Sequence, residues 1–347
     1  MKKITKIGAS ALAGSLVATS AFAGSISVGG TWEVTGEYVN GSGAAAYKAL
    51  SNSGNPFGSK GNLSFNGSGE TDFGTASWFM FTTDQQGGVS SHSVTLDMGD
   101  MGKVAFDQGT GAFGIGTIDD KTPTAYEEIW NGTTQTNGDI LDGSGGATGV
   151  FGYSNAVMGM NVSVEYAPSV ASADAGDGAV GGVTTNPDGT NINFAITNDS
   201  MVEGLSFGFG HGKTEYDLPS TDVATIDTES VAAFANYSFG PLTVGVQNNY
   251  TSGSVNASGV HIGANEVMAF GIAMNVNDSL SVSYNDYENK YLKRGSQGDV
   301  TQDMDGIQVA YTMGGATLRI SDASVSNAGG TTGNSEDRTE VSLLMAF

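Results

Sequence analysis

The sequence predicts an all-β fold, a transmembrane antiparallel barrel of 16 strands, and three observations predict it. Apolar and polar residues alternate in short runs along most of the chain. The connections between those runs alternate between tight turns and long polar loops. The 347 residues include 53 glycines and no cysteine, which disfavours long helices and leaves no disulfide to staple an exported domain.

The chain opens on Lys2, Lys3 and Lys6, an apolar stretch from Ile7 to about Val17, and Ala21-Phe22-Ala23. That order is a secretory signal peptide over residues 1–23, with Gly8 and Gly14 arguing against a short N-terminal helix. The mature chain, 24–347, then forms one barrel domain. Losing three lysines and no acid makes the formal net charge of −23 three units more negative. So acidic a chain lacks the Lys and Arg needed to neutralise phosphates, so nucleic acid is not an expected partner. Past residue 23 no apolar run reaches the eighteen or so residues a membrane helix needs. Mean hydropathy is nevertheless only −0.11, and the aromatic and β-branched content argues against disorder.

The first run sets the pattern. Ile26, Val28, Trp32, Val34 and Tyr38 share one face, and Ser27, Thr31, Glu33, Thr35 and Glu37 the other. A period of two is a strand with one apolar and one polar face. The same alternation recurs at Leu205, Phe207 and Phe209, at Val231 to Phe239, and at Leu242, Val244 and Val246. It returns at Leu280, Val282 and Tyr284, at Ile307 to Met313, and at Leu318 and Ile320. Tight turns are expected near 69–74, 99–102, 156–159, 199–204, 240–241, 277–278 and 314–315. Long polar loops are expected over 40–59, 84–91, 109–148, 168–190, 215–228, 251–264, 288–303 and 323–335. Seven turns and eight loops join sixteen strands and put both termini on the short-turn side, as in membrane barrels.

A soluble β-sandwich also alternates, with its apolar face inward. Sixteen strands would need a very large core, for which the chain has few bulky residues. The polar faces, rich in Ser, Thr, Asn, Gln and acids, suit a water-filled lumen. In hydrocarbon every backbone N–H must be paired within the protein, so a spanning sheet has to close. Tyr38, Tyr166, Tyr237, Phe239, Tyr250 and Tyr311 fall near strand ends, where interfacial aromatic girdles form.

The last run, Arg338 to Phe347, places Val341, Leu343, Met345 and Phe347 on one face. It resembles the C-terminal strand that outer-membrane barrels present to their assembly machinery. Met98-Gly99-Asp100-Met101-Gly102-Lys103-Val104-Ala105-Phe106-Asp107 resembles the turn and fifth strand of Gram-negative general diffusion porins, the alphaproteobacterial type above all. Gly149-Val150-Phe151-Gly152-Tyr153-Ser154 and Asn161-Val162-Ser163-Val164-Glu165-Tyr166 resemble the sixth and seventh strands. The likeness is one of layout and covers the mature chain. It implies export to the outer membrane, a homotrimer of water-filled pores in lipid, and passage of ions and small hydrophilic solutes. It also implies a third loop, here about 109–148, folded into the barrel as a constriction.

That loop carries Asp119, Asp120, Glu127, Glu128, Asp139 and Asp142 against one lysine, Lys121. In the family such acids face basic residues on the wall, and the field between them sets ion preference. Here the wall departs from the pattern, because arginine occurs only at 294, 319 and 338. By parity Lys60, Lys103, Arg319 and Arg338 point into the lumen, and so do Glu33, Glu37, Asp107, Glu165 and Glu340. The expectation is a cation-selective pore. The plainer reading of Arg319 and Arg338 is pairing with Glu340 or Glu33 on neighbouring strands.

No catalytic site is expected. His92, His211 and His261 are scattered, no zinc motif is present, and Gly-x-Gly sequences lie in loops. Asp303-Met304-Asp305-Gly306 lacks the spacing of a calcium loop. No cofactor or metal site is expected, beyond loose Ca²⁺ binding at acidic external loops. Two rivals stay open at this point, a substrate-specific channel on the same barrel and a non-pore, Gly-rich, acidic surface adhesin.

Overall fold

The computed structural model describes residues 24–50, 54–82, 88–108, 110–130, 133, 148–168, 189–216, 227–252, 262–293 and 298–347. The expected signal peptide, Arg294, Asp139 and Asp142 lie outside these residues. Sixteen strands form one closed antiparallel barrel, each paired with its sequence neighbours and the first with the last. They are β1 (Ser25–Ser42), β2 (Phe57–Thr71), β3 (Gly74–Thr82), β4 (Val89–Asp97), β5 (Lys103–Gln108), β6 (Thr148–Val157), β7 (Met160–Ala167) and β8 (Gly189–Asn198). The second half comprises β9 (Leu205–Tyr216), β10 (Thr228–Phe239), β11 (Leu242–Ser252), β12 (Ile262–Asn277), β13 (Leu280–Lys293), β14 (Val300–Met313), β15 (Ala316–Ser326) and β16 (Ser335–Ala346).

Period-two alternation becomes a two-faced wall whose burial is inverted relative to a soluble protein. Ile26 is 76% exposed and Ile192 and Ile307 57% each, whereas Asn191, Asn285 and Gln308 are completely buried. Continuous apolar surface turned outward fits hydrocarbon rather than water. Closure leaves no sheet edge, so the backbone can be satisfied there. Tyr38, Tyr166, Tyr237, Phe239, Tyr250 and Tyr311 are among the exposed aromatics.

The seam joins β1 to β16 from Thr31↔Ala346 to Ser42↔Ser335. Phe347 N–H donates to Gly30 O at 2.9 Å, and Gly30 N–H donates to Phe347 O at 3.2 Å. Met345, Leu343 and Val341 sit opposite Trp32, Val34 and Gly36 on the outward face. The tight turn between β6 and β7 is Met158-Gly159, with φ of 53° and 80°. Two successive positive φ values match the twist of a two-residue hairpin, which is why a glycine stands there.

Two expectations about connections need correction. A loop was expected over 288–303, but β13 and β14 stay paired from Tyr287↔Met304 to Tyr291↔Val300. Asp286, Glu288, Asp303 and Asp305 end the apolar alternation, so the segment reads as loop although backbone pairing continues beyond the apolar band. The expected loop 40–59 contains a short helix, α1 (Ala45–Leu50). Ala44 N–H donates to Asn334 Oδ1 at 2.9 Å, so α1 is tied to the turn before β16. Six residues of helix, fewer than two turns, are too few to show a period in sequence.

Candidate functional site

Between β5 and β6, residues 110–130 run along the inner wall of the barrel, and the wall's polar side chains hold them there. A 3-10 turn, Gly114–Ile118, begins the path. Gly114 has a φ of 61°, and a Cβ there would lie 1.6 Å from Asn193 Oδ1, so only glycine fits. Gly114 N–H donates to Ser163 Oγ at 2.8 Å, and Ile115 N–H to Asn193 Oδ1 at 2.8 Å. Further along, Lys121 N–H donates to Gln247 Oε1 at 2.6 Å and Ala125 N–H to Ser283 Oγ at 2.9 Å. The carbonyls are met in kind. Gln247 Nε2 donates to Ile118 O at 2.8 Å and Asp119 O at 2.7 Å. Asn236 Nδ2 donates to Lys121 O at 2.6 Å, and Asn285 Nδ2 to Pro123 O at 3.0 Å. A buried loop would otherwise leave these backbone groups unpaired.

Apolar contacts add to the polar ones. Ile115 and Ile118 pack on Ala195 and Ala232. Ile129 and Trp130 enter a cluster with Val267, Ala269, Tyr287, Met304 and Val325. Trp130 meets the Tyr287 ring edge-on, with centroids 4.7 Å apart. Small inward residues make the room. A Cβ at Gly271 would lie 2.8 Å from Pro123 O and 3.0 Å from Pro123 Cδ. Gly271→Val is therefore expected to push the segment into the lumen, at a cost of about 1–3 kcal/mol of docking. Single-channel conductance below that of the unaltered protein is the expected reading; an unchanged value would mean the segment does not narrow the lumen.

Three basic wall residues, Arg319 on β15, Arg338 on β16 and Lys60 on β2, lie close around β1, and each has an acidic partner. Glu33, 3% exposed, lies between Lys60 Nζ at 3.2 Å and Arg319 Nη1 at 3.5 Å. Buried Arg338 pairs with Glu37 at 2.7 Å and with Glu340. Three cations thus face three carboxylates in two connected groups. Lys103 stands apart near a tight turn, 3.1 Å from Asp97. Glu165 is buried on another part of the wall, accepting from Asn193 Nδ2 at 3.0 Å. Asp107 accepts from Thr110 N–H at 3.0 Å.

The remaining acids of the site, Asp119, Asp120, Glu127 and Glu128, stand on the inner segment. Tyr126 lies against the wall with the Arg319 guanidinium 5.1 Å from its ring centroid. Its neighbour Glu127 has its carboxyl raised above the usual range, first by burial, then by Glu340, with Lys60 and Arg319 opposing. Burial also raises Asp119. Asp120 is pushed up to about 7, by burial and by a hydrogen bond and repulsion from Glu128. Asp120 Oδ1 also accepts from Tyr287 Oη and from Thr122 Oγ1, each at 3.2 Å.

Of the site residues read from sequence, the structure gathers Lys60, Glu33, Arg319, Arg338, Glu37, Glu340 and Glu127, groups Asp119, Asp120 and Glu128 nearby, and leaves Lys103 and Glu165 elsewhere. The wall groups that hold the segment, Ser163, Asn193, Gln247, Ser283 and Asn285, were not anticipated. Parity places their side chains inward, but no sequence signal says what an uncharged inward side chain touches.

Sixteen strands closed around a polar lumen, apolar outside and with chain bound along the inner wall, define a transmembrane β-barrel of the channel class. The profile of the Gram-negative porin family matches residues 8–319, and the chain belongs to that family. No curated protein matches it. Among solved structures it resembles the outer membrane channel DcaP of Acinetobacter baumannii, with a TM-score of 0.64, 11% identity, and 93% of this chain and 97% of that one covered. It also resembles a loop-deletion mutant of OmpT, an outer membrane protein of Vibrio cholerae, with a TM-score of 0.63, 12% identity, and 94% and 100% covered. A porin structure gives a TM-score of 0.62 at 16% identity, with 93% and 100% covered. Identities this low speak to the fold.

Proposed function

We propose that this chain forms a water-filled pore in the outer membrane for passive diffusion of ions and small hydrophilic solutes, and that the pore prefers cations. The observation that carries the preference is the pairing of wall charges. Lys60, Arg319 and Arg338 are each neutralised by wall carboxylates, so Glu127 and its neighbours on the inner segment dominate the local field. In a confined lumen of lowered dielectric an unbalanced carboxylate attracts cations more strongly than it would in water.

On this reading the pore performs no catalysis and needs no cofactor. Residues 1–23 direct export and are cleaved, the strand ending in Val341, Leu343, Met345 and Phe347 engages the assembly machinery, and the working unit is a homotrimer in outer-membrane lipid. Reversal potentials across a planar bilayer in a salt gradient test the selectivity. A cation-favouring sign is expected, and a clear anion preference would sink the proposal. Liposome swelling with graded sugars should fall smoothly with solute size; saturation by one sugar would instead mark a specific channel.

A further inference from the structure

The inner segment turns at Asp119–Lys121, where its charged side chains begin, and is bonded to the wall through that turn. One uncharged side chain sits under that turn. Gln247, on β11, is only 3% exposed. Its Oε1 accepts from Lys121 N–H at 2.6 Å. Its Nε2 donates to Ile118 O at 2.8 Å and Asp119 O at 2.7 Å, and lies 3.0 Å from Asn249 Oδ1. The carboxamide orientation is fixed by these partners, since the oxygen faces an N–H and the nitrogen faces carbonyls. Asn249 Nδ2 adds a bond to Asp119 O at 3.2 Å, and Asn236 Nδ2 one to Lys121 O at 2.6 Å.

We infer that Gln247 is the positioning residue of the pore: its carboxamide fixes the backbone of Ile118–Lys121 and thereby sets where the acidic stretch of the inner segment stands in the lumen. This rests on the channel reading above. Gln247 touches no permeating ion on this account; it acts through the segment it holds. The flanking contacts do not do the same work. Ile115 and Ile118 are held by apolar packing on Ala195 and Ala232, and Pro123 by one bond from Asn285. Neither fixes both carbonyls and the N–H of the turn itself. A carboxamide also keeps the same donors and acceptor at every working pH. The position of the turn is thus insulated at this point from the titration of the acids it carries.

Glutamate is nearly isosteric with glutamine but loses both donors when ionised. In Q247E the carboxylate would face Ile118 O and Asp119 O, two acceptors, and would repel the turn. Once protonated, its hydroxyl could donate to one of them. The titratable groups near position 247 are Asp119, Asp120 and Lys121 of the segment; its cross-strand partners Phe234 and Ala269 carry no charge.

The experiment is single-channel recording on the intact protein, unaltered and as Q247A and Q247E, at pH 4 and pH 8, with heat-modifiable gel migration confirming that each barrel has folded. The conductance ratio of variant to unaltered protein is the readout, so that titration common to all channels cancels. For Q247A a ratio away from one is expected at both pH values, with added open-channel noise. For Q247E a ratio away from one is expected at pH 8 and a return towards one at pH 4, a pH signature that general destabilisation of the barrel would not produce. If Q247E does not reach the folded form, Q247N carries the test: the amide is kept but shortened by one methylene, and an altered conductance at both pH values is expected. Ratios of one for every folded variant, or a Q247E ratio that ignores pH, overturn the inference while leaving the channel reading intact. An absence of conductance steps in the unaltered protein overturns the channel reading, and this inference with it.

Discussion

Glu33→Gln is expected to move the reversal potential of the pore towards anions and to lower the temperature at which the barrel loses its heat-modifiable form. Glu33 is almost fully buried and stands between Lys60 at 3.2 Å and Arg319 at 3.5 Å. Glutamine keeps the shape and a hydrogen-bonding oxygen but removes the charge on which both cations depend. The wall then carries one uncompensated positive charge where Glu127 faces it. Breaking a buried ion pair by removing one partner costs about 3–5 kcal/mol. Here most of that comes from Arg319, because Lys60 is nearly half exposed and screened by water. Lys60→Gln in the same background should recover much of the selectivity and little of the stability. An unshifted reversal potential in Glu33→Gln would mean that ions do not sample this wall.

Cation preference is expected to rise with pH between about 4 and 8 and to do so less in Asp120→Asn. Asp119, Asp120 and Glu127 all have their carboxyls raised, Asp120 from 3.8 to about 7. They are therefore still partly protonated at pH values where exposed acids are fully charged. The stability consequence runs the other way. A carboxyl whose docked-state pKa lies above its free value favours docking at low pH. That contribution is lost as pH rises through the window from 3.8 to about 7. It comes from the burial of Asp120 and its contact with Glu128, with the hydrogen bonds from Tyr287 and Thr122 opposing it. Open-channel noise should grow with pH over the same window, and Asp120→Asn, unable to ionise, should flatten it. Noise independent of pH in the unaltered protein would show that the pair does not hold the segment.

Much of the barrel was legible because a membrane wall writes itself into sequence with a period of two. Ile26 to Tyr38 and Val341 to Phe347 fall on the outward face that their spacing gave them, and parity aimed Glu33 and Arg319 inward. Parity cannot supply distance around the barrel. Arg319 on β15 reaches Glu33 on β1 across the intervening β16, and Arg338 takes Glu340 from its own strand and Glu37 from the next. Such pairs depend on side-chain length over a curved wall. The path of the inner segment was less legible still, since Gln247 and Asn285 look in sequence like any other lumen-facing amides. The extended β13–β14 ribbon was hidden for another reason: its outward face turns acidic at Asp286, Glu288, Asp303 and Asp305, so pairing persists after the outward apolar stripe has stopped.

The seam between β1 and β16 also governs how the protein can be made. It joins Thr31 to Ala346 and Trp32 to Met345, almost the whole length of the chain apart. Every other strand pair is local, formed across one turn or loop. Bringing distant ends together costs entropy that grows slowly with the length enclosed, about 0.6 kcal/mol per doubling. A chain still growing has hairpins but nothing to close against, and its lipid-facing side chains are then exposed to water. Topologies dominated by distant pairing are slow to form and prone to aggregate on the way. β16 is thus a timing device as well as a strand: until it pairs with β1 the sheet keeps two open edges, and the lipid-facing side chains have to be kept from aggregating until the barrel can zip shut.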